Sequence, residues 1–282
     1  MQYQLRPKQT LLLKNRLLRN PLPQKKLQKK LYPKLLKKLL IKSLPKKKTV
    51  EKLPPVKPEV RKILDKLEQA GNSHKTLKAD VVYTVVSRLD GDTQTRTGFV
   101  AFAGKTKTEP DKFRISFKTL KLGEDGRKTR EKIDYIFDGY WFTIAKHKIK
   151  TLTRLQVATK NQKIEPMRIG SGPFPIPFGQ KANDMIRMLE ISTRKARRSD
   201  PKNCYYLKLI PRKKYRNQMN FKRMEMWISK DNNMPVKIRM KDKNKSKTIA
   251  EFSNIKTDAE IKSDLFEMKK PAGWKSTVKP MK

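Results

Sequence analysis

The sequence predicts a mainly β (α+β) fold, built on an antiparallel barrel or a strongly curved antiparallel sheet. Strand-like segments follow one another along most of residues 79–255, and turn signals separate them. Only two short segments have helical periodicity, and no alternation of strands with helices is visible. A doubly wound parallel sheet is therefore not expected.

The first helical segment opens the globular part of the chain. Its apolar residues recur at the spacing of one helix face: Val60, Ile63, Leu64, Leu67 and Ala70. Pro58 precedes this stripe and Gly71 follows it, which is the usual arrangement at the two ends of a helix. We therefore expect a helix that begins near Pro58 and ends before Gly71.

Strand signals then dominate, and turn residues separate them. Strands are expected at residues 79–86, 98–103, 113–117, 133–137, 140–145, 149–157, 205–210, 221–228, 235–240 and 247–255. Asp138 and Gly139 form the strongest hairpin signal, and residues 231–233 and 242–244 are further hairpin candidates. Residues 170–179, rich in proline and glycine, suit neither a helix nor a central strand.

A short second helix is expected directly after that proline-rich stretch. Its apolar residues again fall on one helix face: Ala182, Met185, Ile186 and Leu189.

Charge divides the chain at about residue 58. The net charge is +44, from 70 Lys and Arg against 26 Asp and Glu, and residues 1–58 contain a single acid, Glu51. This basic, proline-rich stretch predicts a disordered tail ahead of one domain over residues 59–282.

Residues 35–42 repeat apolar and basic pairs, which suits either a helix on a membrane surface or a disordered basic linker. No export signal is readable.

Several enzyme and metal-site classes are excluded by residue content. Cys204 is the only cysteine, and His74 and His147 are the only histidines, which excludes internal disulfides and argues against structural zinc sites. The sequence contains no Gly-rich phosphate loop and no nucleophile elbow.

The acidic residues form no convincing catalytic pair. We expect Asp134 and Asp138 at strand ends, Glu225 on a solvent-facing side, and His147 on a surface strand. A protein without catalytic residues, cofactor or metal is therefore expected.

Alternation places many large apolar residues on one face of the predicted sheet. A curved sheet with only two helices to cover it would enclose an apolar cavity suited to acyl chains or another apolar ligand. The cavity candidates are Val81, Tyr83, Val85, Phe113, Ile115, Phe117, Tyr140, Phe142, Met224, Met226, Val236 and Ile238. The lid candidates on the two helices are Ile63, Leu64, Leu67, Met185, Ile186 and Leu189.

Six segments, in this order, resemble one known superfamily. They are LKADVVYTVVS after the first helix, EPDKFRISF, YIFDGYWFTI, YLKLIPR, the hairpin of residues 224–256, and LFEMKKPAGW. Together they resemble the LolA-like outer-membrane lipoprotein carrier and lipoprotein-sorting superfamily over roughly residues 59–278.

The resemblance implies a fold and a function. It implies a half-open antiparallel barrel closed by helices, whose cavity carries lipid or lipoprotein acyl chains between two membranes. It also implies a periplasmic monomer that meets membrane-bound donor and acceptor proteins, with the basic tail favouring anionic membrane surfaces. Phe113, Ile115 and Phe117 match inward-facing positions of the superfamily, whereas Glu109 stands where its carriers often have an arginine.

A nucleic-acid-binding protein is the alternative that the sequence leaves open. Residues 194–198 and 208–216 carry basic clusters, the second of them with an aromatic residue, as phosphate-rich partners require. A nucleic-acid platform exposes aromatic rings among basic residues on one sheet face. The inward alternation of Phe113, Phe117, Tyr140 and Phe142 favours the carrier instead.

Overall fold

The computed structural model describes residues 52–281 apart from 90, 105, 107–108, 160–168 and 170–177. Most of the predicted tail and most of the proline-rich stretch therefore lie outside the described residues. Two α-helices are present in the described part of the chain: α1 (Pro58–Ser73) and α2 (Ala182–Met188). Neither helix is long and apolar enough to cross a membrane.

Strands make up most of the described chain. In order they are β1 (Thr76–Val86), β2 (Thr93–Ala103), β3 (Lys112–Leu122), β4 (Lys128–Phe137), β5 (Trp141–Lys146), β6 (Thr151–Gln156), β7 (Leu189–Thr193), β8 (Cys204–Pro211), β9 (Phe221–Ser229), β10 (Pro235–Asp242), β11 (Lys247–Thr257) and β12 (Lys275–Lys279). Single-turn 3-10 helices lie at Lys213–Tyr215 and Ser263–Phe266.

All of these strands form one 12-stranded sheet, in the order β12-β6-β5-β4-β3-β2-β1-β11-β10-β9-β8-β7. Every neighbouring pair is antiparallel apart from β12 and β6, which run parallel. Strand β1 joins the two halves of the sheet, because it pairs with β2 on one side and with β11 on the other. The sheet is curved and its two end strands are β12 and β7, so the predicted half-open barrel is confirmed.

Register defines two faces of this sheet. Val81 lies opposite Gly98, which lies opposite Phe117, which in turn lies opposite Ile133. We call the face that carries the side chains of Val81, Phe117 and Ile133 the inner face, and the opposite face the outer face. In β1 the two faces differ clearly, because Leu77, Ala79 and Val81 are buried while the residues between them are exposed.

Helix α1 buries its predicted apolar stripe and lies next to α2 and β7. All five residues of that stripe are buried, which confirms the prediction. The expected end at Gly71 is wrong, because α1 continues to Ser73. A Cβ atom at Gly71 would lie 3.1 Å from the Gly179 nitrogen, so glycine at this position permits close packing of the helix rather than its termination.

The expected hairpins are present. Between β4 and β5, the Asp138 carboxylate accepts hydrogen bonds from the backbone N–H groups of Tyr140 and Trp141. Gly139 has a φ of +105°, a conformation that glycine adopts without strain. The hairpins at residues 231–233 and 242–244 also form, between β9, β10 and β11.

Two strands are absent from the sequence-based prediction. Leu189, expected on the second helix, is instead the first residue of β7. Strand β12 carries only exposed residues, so it has no burial pattern that a sequence could reveal. Strand β2 begins at Thr93, five residues before the expected start.

The C-terminal segment crosses the outer face before it reaches β12. Phe266, in the second 3-10 helix, is buried, and the Arg114 guanidinium donates a hydrogen bond to the Leu265 carbonyl (2.9 Å). Strand β12 then extends the sheet along β6.

Candidate functional site

The inner face of β1–β5 carries an unbroken run of aromatic rings. Adjacent ring centroids lie 5.5–6.3 Å apart along the sequence of pairs Tyr83–Phe117, Phe117–Tyr135, Tyr135–Phe142, Phe142–Phe113 and Phe113–Phe137. These separations are typical of favourable aromatic contacts. We call these six residues the aromatic run.

The aromatic run brings together several of the predicted cavity residues. Phe113, Phe117 and Phe142 belong to it and are buried, and Tyr83 is half-buried at its β1 end. Ile115 lies between two of these rings along β3 and is 2 % exposed. Val81 and Val85 flank Tyr83 on the same face of β1. Tyr140, by contrast, lies in the turn before β5 and is half-buried.

The other half of the inner face carries aliphatic side chains together with several methionines. Met226 and Ile238, both predicted, face each other across β9 and β10 and are 0 % exposed. Met224 lies on the same face and is buried, and Val236 is half-buried beside a register shift. Methionine side chains adapt to irregular neighbours, so this half tolerates changes in what packs against it.

The predicted lid residues are buried, and the two helices that carry most of them lie next to each other and to β7. Ile63, Leu64 and Leu67 of α1 are buried, as are Met185 and Ile186 of α2. Leu189, at the start of β7, is also fully buried.

A small number of polar contacts connects α1 to its neighbours. Arg61 donates a hydrogen bond to the Asn183 side chain (2.7 Å), and Glu68 accepts one from the Ala182 backbone N–H (2.9 Å). Lys66 donates a longer bond to the Tyr205 hydroxyl (3.3 Å). Lys66 also lies over the Tyr205 ring, and the buried apolar stripe of α1 packs against its neighbours.

The described residues of the loop before α2 extend the cover toward β11. Phe178 packs edge-on against Phe252, with ring centroids 5.6 Å apart. Gln180 accepts a hydrogen bond from the Ile169 N–H and donates one to the Phe178 carbonyl, so a single side chain ties both described parts of this loop together. Ile169 and Phe178 are both buried.

Charged residues interrupt the apolar inner face at one end of the aromatic run. Arg96 of β2 lies opposite Tyr83, and its guanidinium pairs with Glu131 of β4 at 3.0 Å. Lys146 of β5 lies opposite Ile133 on the same face. Burial and the nearby Arg96 charge lower the pKa of Lys146, and Glu131 opposes this effect. We call Arg96, Glu131 and Lys146 the charged trio.

The charged trio was absent from the sequence-based site prediction. The alternation of threonine with polar residues in TQTRTG was a usable signal for an earlier start of β2. With that start, period-two alternation places Arg96 on the same face as Gly98.

The outer face carries a buried carboxylate that was expected in a different setting. Asp134 lies within β4 rather than at its end and is 0 % exposed, so the expectation of a strand end is wrong. It accepts hydrogen bonds from Arg114 and from His147 (2.7 Å). Burial raises the pKa of Asp134, but hydrogen bonds from Ser116 and His147 and the charge of Arg114 together bring it below its ordinary value.

His147 connects this carboxylate to the C-terminal segment. It lies in the turn after β5 rather than on a strand, and its ring packs edge-on against Trp274 at 5.0 Å. Because Arg114 also bonds the Leu265 carbonyl, the cluster around Asp134 fastens the C-terminal segment to the outer face.

Glu225 was expected to face solvent, and this expectation is wrong. Its side chain is buried on the outer face and accepts hydrogen bonds from Tyr206 (2.8 Å) and Arg239 (2.7 Å). Burial raises the pKa of Glu225, but the hydrogen bonds from Arg239 and Tyr206 together with the charges of Arg239 and Arg223 bring it below its ordinary value. Arg194 stacks on the Tyr206 ring, and Tyr206 in turn packs edge-on against Trp227.

This outer cluster bears on the nucleic-acid alternative. Tyr206 and Trp227 are aromatic rings among basic residues on the outer face, but they are only 6 % and 3 % exposed. A base could not stack on rings that are already covered.

Two surface clefts lie away from the inner face. One, of about 390 Å³, runs along the polar side of α1 between Asp65 and Ser73. The other, of about 350 Å³, lies between Lys112, Arg154 and the C-terminal segment. Neither is lined by a predicted cavity residue. Among the described residues, no group of histidine, cysteine and acidic side chains is arranged to bind a metal ion.

Comparison with known proteins found similarity to solved structures. No family model matches the chain, and no curated protein matches it. Similar solved structures nevertheless include LolA superfamily and lipoprotein-sorting proteins.

Three of these structures illustrate the similarity. A LolA superfamily protein from Nitrosomonas europaea is 12 % identical, with a TM-score of 0.33 over 74 % of this chain and 97 % of that chain. A putative outer membrane lipoprotein-sorting protein domain from Vibrio parahaemolyticus is 12 % identical, with a TM-score of 0.35 over 73 % and 97 %. An uncharacterized conserved protein from Thermus thermophilus is 11 % identical, with a TM-score of 0.44 over 78 % and 99 %.

Proposed function

We propose that this chain is a non-catalytic carrier that binds acyl chains of a lipid or lipoprotein on the inner face of its sheet and transfers them between membranes. One observation carries the proposal: the aromatic run forms a continuous apolar path across the inner face of five strands. A linear hydrocarbon chain is the ligand whose shape and chemistry match such a path.

The energetics favour reversible binding. Each buried CH₂ group contributes roughly 0.8 kcal/mol, so an acyl chain of ordinary length gains enough to displace part of a cover. Because the inner-face residues are buried, the ligand must replace an existing apolar contact rather than fill an empty space. Exchanging one apolar neighbour for another changes the net free energy little, as loading and release both require.

Helix α1 is the element we propose to move. It is held by apolar packing and by the few hydrogen bonds to Asn183, Tyr205 and Ala182. The sheet beneath it is held by continuous backbone pairing and would remain in place. The predicted lid residues Ile63, Leu64 and Leu67 would then exchange sheet contacts for contacts with the ligand.

The compartment and the protein partners form the finer part of the proposal. We place the carrier in the periplasm and expect membrane-bound donor and acceptor proteins, because the sequence resembles lipoprotein carriers. The excess of 70 basic over 26 acidic residues supports attraction to anionic membrane surfaces.

The test is to measure lipid that co-purifies with the full chain, by native and denaturing mass spectrometry. Tyr83→Asp places a charge on the inner face at a half-buried position, where the fold should tolerate it. Val82→Asp is the matched control, because Val82 is its neighbour on the outer face and is 37 % exposed. We expect wild type and Val82→Asp to retain acyl-chain lipids and Tyr83→Asp to lose most of them.

Equal retention of lipid by both variants would contradict a binding site on the inner face. Recovery of nucleic acid instead of lipid, resistant to moderate salt, would replace the carrier with the nucleic-acid alternative.

A further inference from the structure

The charged trio lies at the end of the path along which the acyl chain is proposed to bind. Arg96 is opposite Tyr83, the terminal ring of the aromatic run, and Lys146 is opposite Ile133, in the row of the sheet that contains Phe117. Over one or two rows of residues paired across the strands, the side chains on the inner face therefore change from aromatic to cationic. An amphiphile has the same order of chemistry, a hydrocarbon chain followed by a polar head.

The trio has two cationic side chains and one carboxylate. Arg96 Nη2 donates a hydrogen bond to Glu131 at 3.0 Å. The Arg96 side chain is 13 % exposed, and its Nη1 atom is buried and has no hydrogen-bond partner among the described residues. A buried N–H group without an acceptor is costly, so an acceptor supplied by a ligand would stabilise this side chain.

Lys146 places a second positive charge close to Arg96. Burial and the Arg96 charge both disfavour its ammonium form, which lowers its pKa. An anion placed beside Arg96 and Lys146 would reduce this repulsion and accept the hydrogen bond that Nη1 lacks. Arginine is suited to this role, because its planar guanidinium matches the oxygen atoms of phosphate and carboxylate groups.

We infer that Arg96 and Lys146 bind the anionic head, a phosphate or carboxylate, of an amphiphile whose acyl chain lies along the aromatic run. This inference rests on the proposed function and names the chemical class of its ligand. Glu131 acts as a positioning residue, because it holds the Nη2 atom of the Arg96 guanidinium and leaves the buried Nη1 atom without an acceptor among the described residues.

The experiment compares single-chain probes that share a 12-carbon chain. Dodecyl phosphate, neutral dodecyl maltoside and cationic dodecyltrimethylammonium are titrated below their micelle concentrations into the full chain, by calorimetry. Inorganic phosphate is titrated separately, to distinguish a lipid head from free phosphate. We expect dodecyl phosphate to bind about tenfold more tightly than the maltoside, and inorganic phosphate to bind far more weakly than either.

Two inner-face variants and one control locate the effect. Arg96→Gln and Lys146→Gln should each lose about tenfold in affinity for dodecyl phosphate and remain within about twofold for the maltoside. Lys78→Gln removes an exposed cation from the outer face of β1 and should leave all affinities unchanged. Arg96→Lys keeps the cation, should retain most of the preference for phosphate, and guards against misfolding of the glutamine variant.

Each outcome decides the inference. Equal losses for the phosphate and the maltoside in Arg96→Gln would show that Arg96 acts only on the fold and would overturn the inference. A wild-type protein that binds all three heads equally would overturn it too, while leaving the carrier proposal standing. Inorganic phosphate that binds as tightly as dodecyl phosphate would make this a free-phosphate site. Failure of every 12-carbon probe to bind would instead contradict the proposed function itself.

Discussion

The side chains around Asp134 connect the outer face of the sheet to the C-terminal segment. Its carboxylate is fully buried and contacts Arg114 at 3.1 Å and His147 at 2.7 Å. Burying one carboxylate costs free energy, and here basic and hydrogen-bonding partners from neighbouring elements offset that cost. The same partners bond or stack on Leu265 and Trp274, so the charge of one side chain stabilises the docking of a whole segment.

Replacing Asp134 with asparagine should therefore destabilise the protein near neutral pH. We expect a loss of about 3 kcal/mol in the free energy of unfolding, because the partly buried Arg114 would lose its counter-charge. The pKa of Asp134 is lowered in the folded protein, so its ionised form adds stability above its ordinary pKa. That stability is lost as the pH falls through the lowered value.

The measurement is urea unfolding followed by tryptophan fluorescence from neutral pH down to about pH 3, a range that spans the ordinary aspartate pKa. As the pH is lowered, the free energy of unfolding of Asp134→Asn should fall less steeply than that of wild type. Glu109→Gln is the control, because its ion pair with Lys112 is largely exposed on the glutamate side and should change stability by less than about 1 kcal/mol. An equally steep fall in the free energy of unfolding for wild type and Asp134→Asn would refute the claim that ionised Asp134 stabilises the folded protein.

At the scale of elements, helix α1 depends on a close approach between two backbones. A Cβ atom at Gly71 would lie 3.1 Å from the nitrogen and 3.2 Å from the Cα of Gly179. The glycine therefore sets the distance between α1 and the loop that precedes α2. Both are described parts of the cover over the inner face.

Gly71→Val should separate these two parts of the cover. Valine has a higher helix propensity than glycine, so any destabilisation must arise from the contact with Gly179. We expect a loss of about 1–3 kcal/mol in stability and increased binding of the dye ANS to the newly accessible apolar face. Asn72→Val places the same side chain at an exposed position of α1, and should bind no more dye than wild type. Equal dye binding by the two variants would show that this contact does not control the cover.

Elements with a clear burial pattern could be predicted from the sequence, and those without one could not. Strand β1 and helix α1 were predicted because their buried residues recur with periods of two and 3.6 residues. Strand β12 could not be predicted, because all five of its residues are exposed and only pairing with β6 defines it. Glu225 was misplaced because a strand buried on both faces has no alternation to read, and β9 is buried at its last six residues.

The candidate site divides in the same way. The alternation of Phe113, Ile115 and Phe117 in β3 predicted that these three share the inner face, and the register supports it. The charged trio could not be predicted as a unit, because Arg96, Glu131 and Lys146 meet only after their strands have paired across the sheet. Pairing between distant strands leaves no local signal in a sequence.

At the scale of the whole molecule, an open sheet and a large positive charge act together. The sheet ends at β12 and β7 without closing, so the inner face depends on helices and loops for its cover. Strand β12 carries Lys275 and Lys279 at this edge, and charged edges discourage pairing with other chains. A net charge of +44 favours approach to anionic surfaces over distances limited by salt screening. In the proposed carrier, the inner face rather than this charge selects the cargo.

The most direct measurement is photo-cross-linking of the full chain to a 12-carbon fatty acid that carries a diazirine near its methyl end, followed by peptide mass spectrometry. Because the anionic head is inferred to lie beside Arg96, next to Tyr83, the methyl end of a bound chain should form adducts at the far end of the aromatic run, at Phe113, Phe137 and Phe142. Adducts confined to outer-face residues such as Val82 and Lys78, or no adducts above those of urea-unfolded protein, would contradict the carrier function.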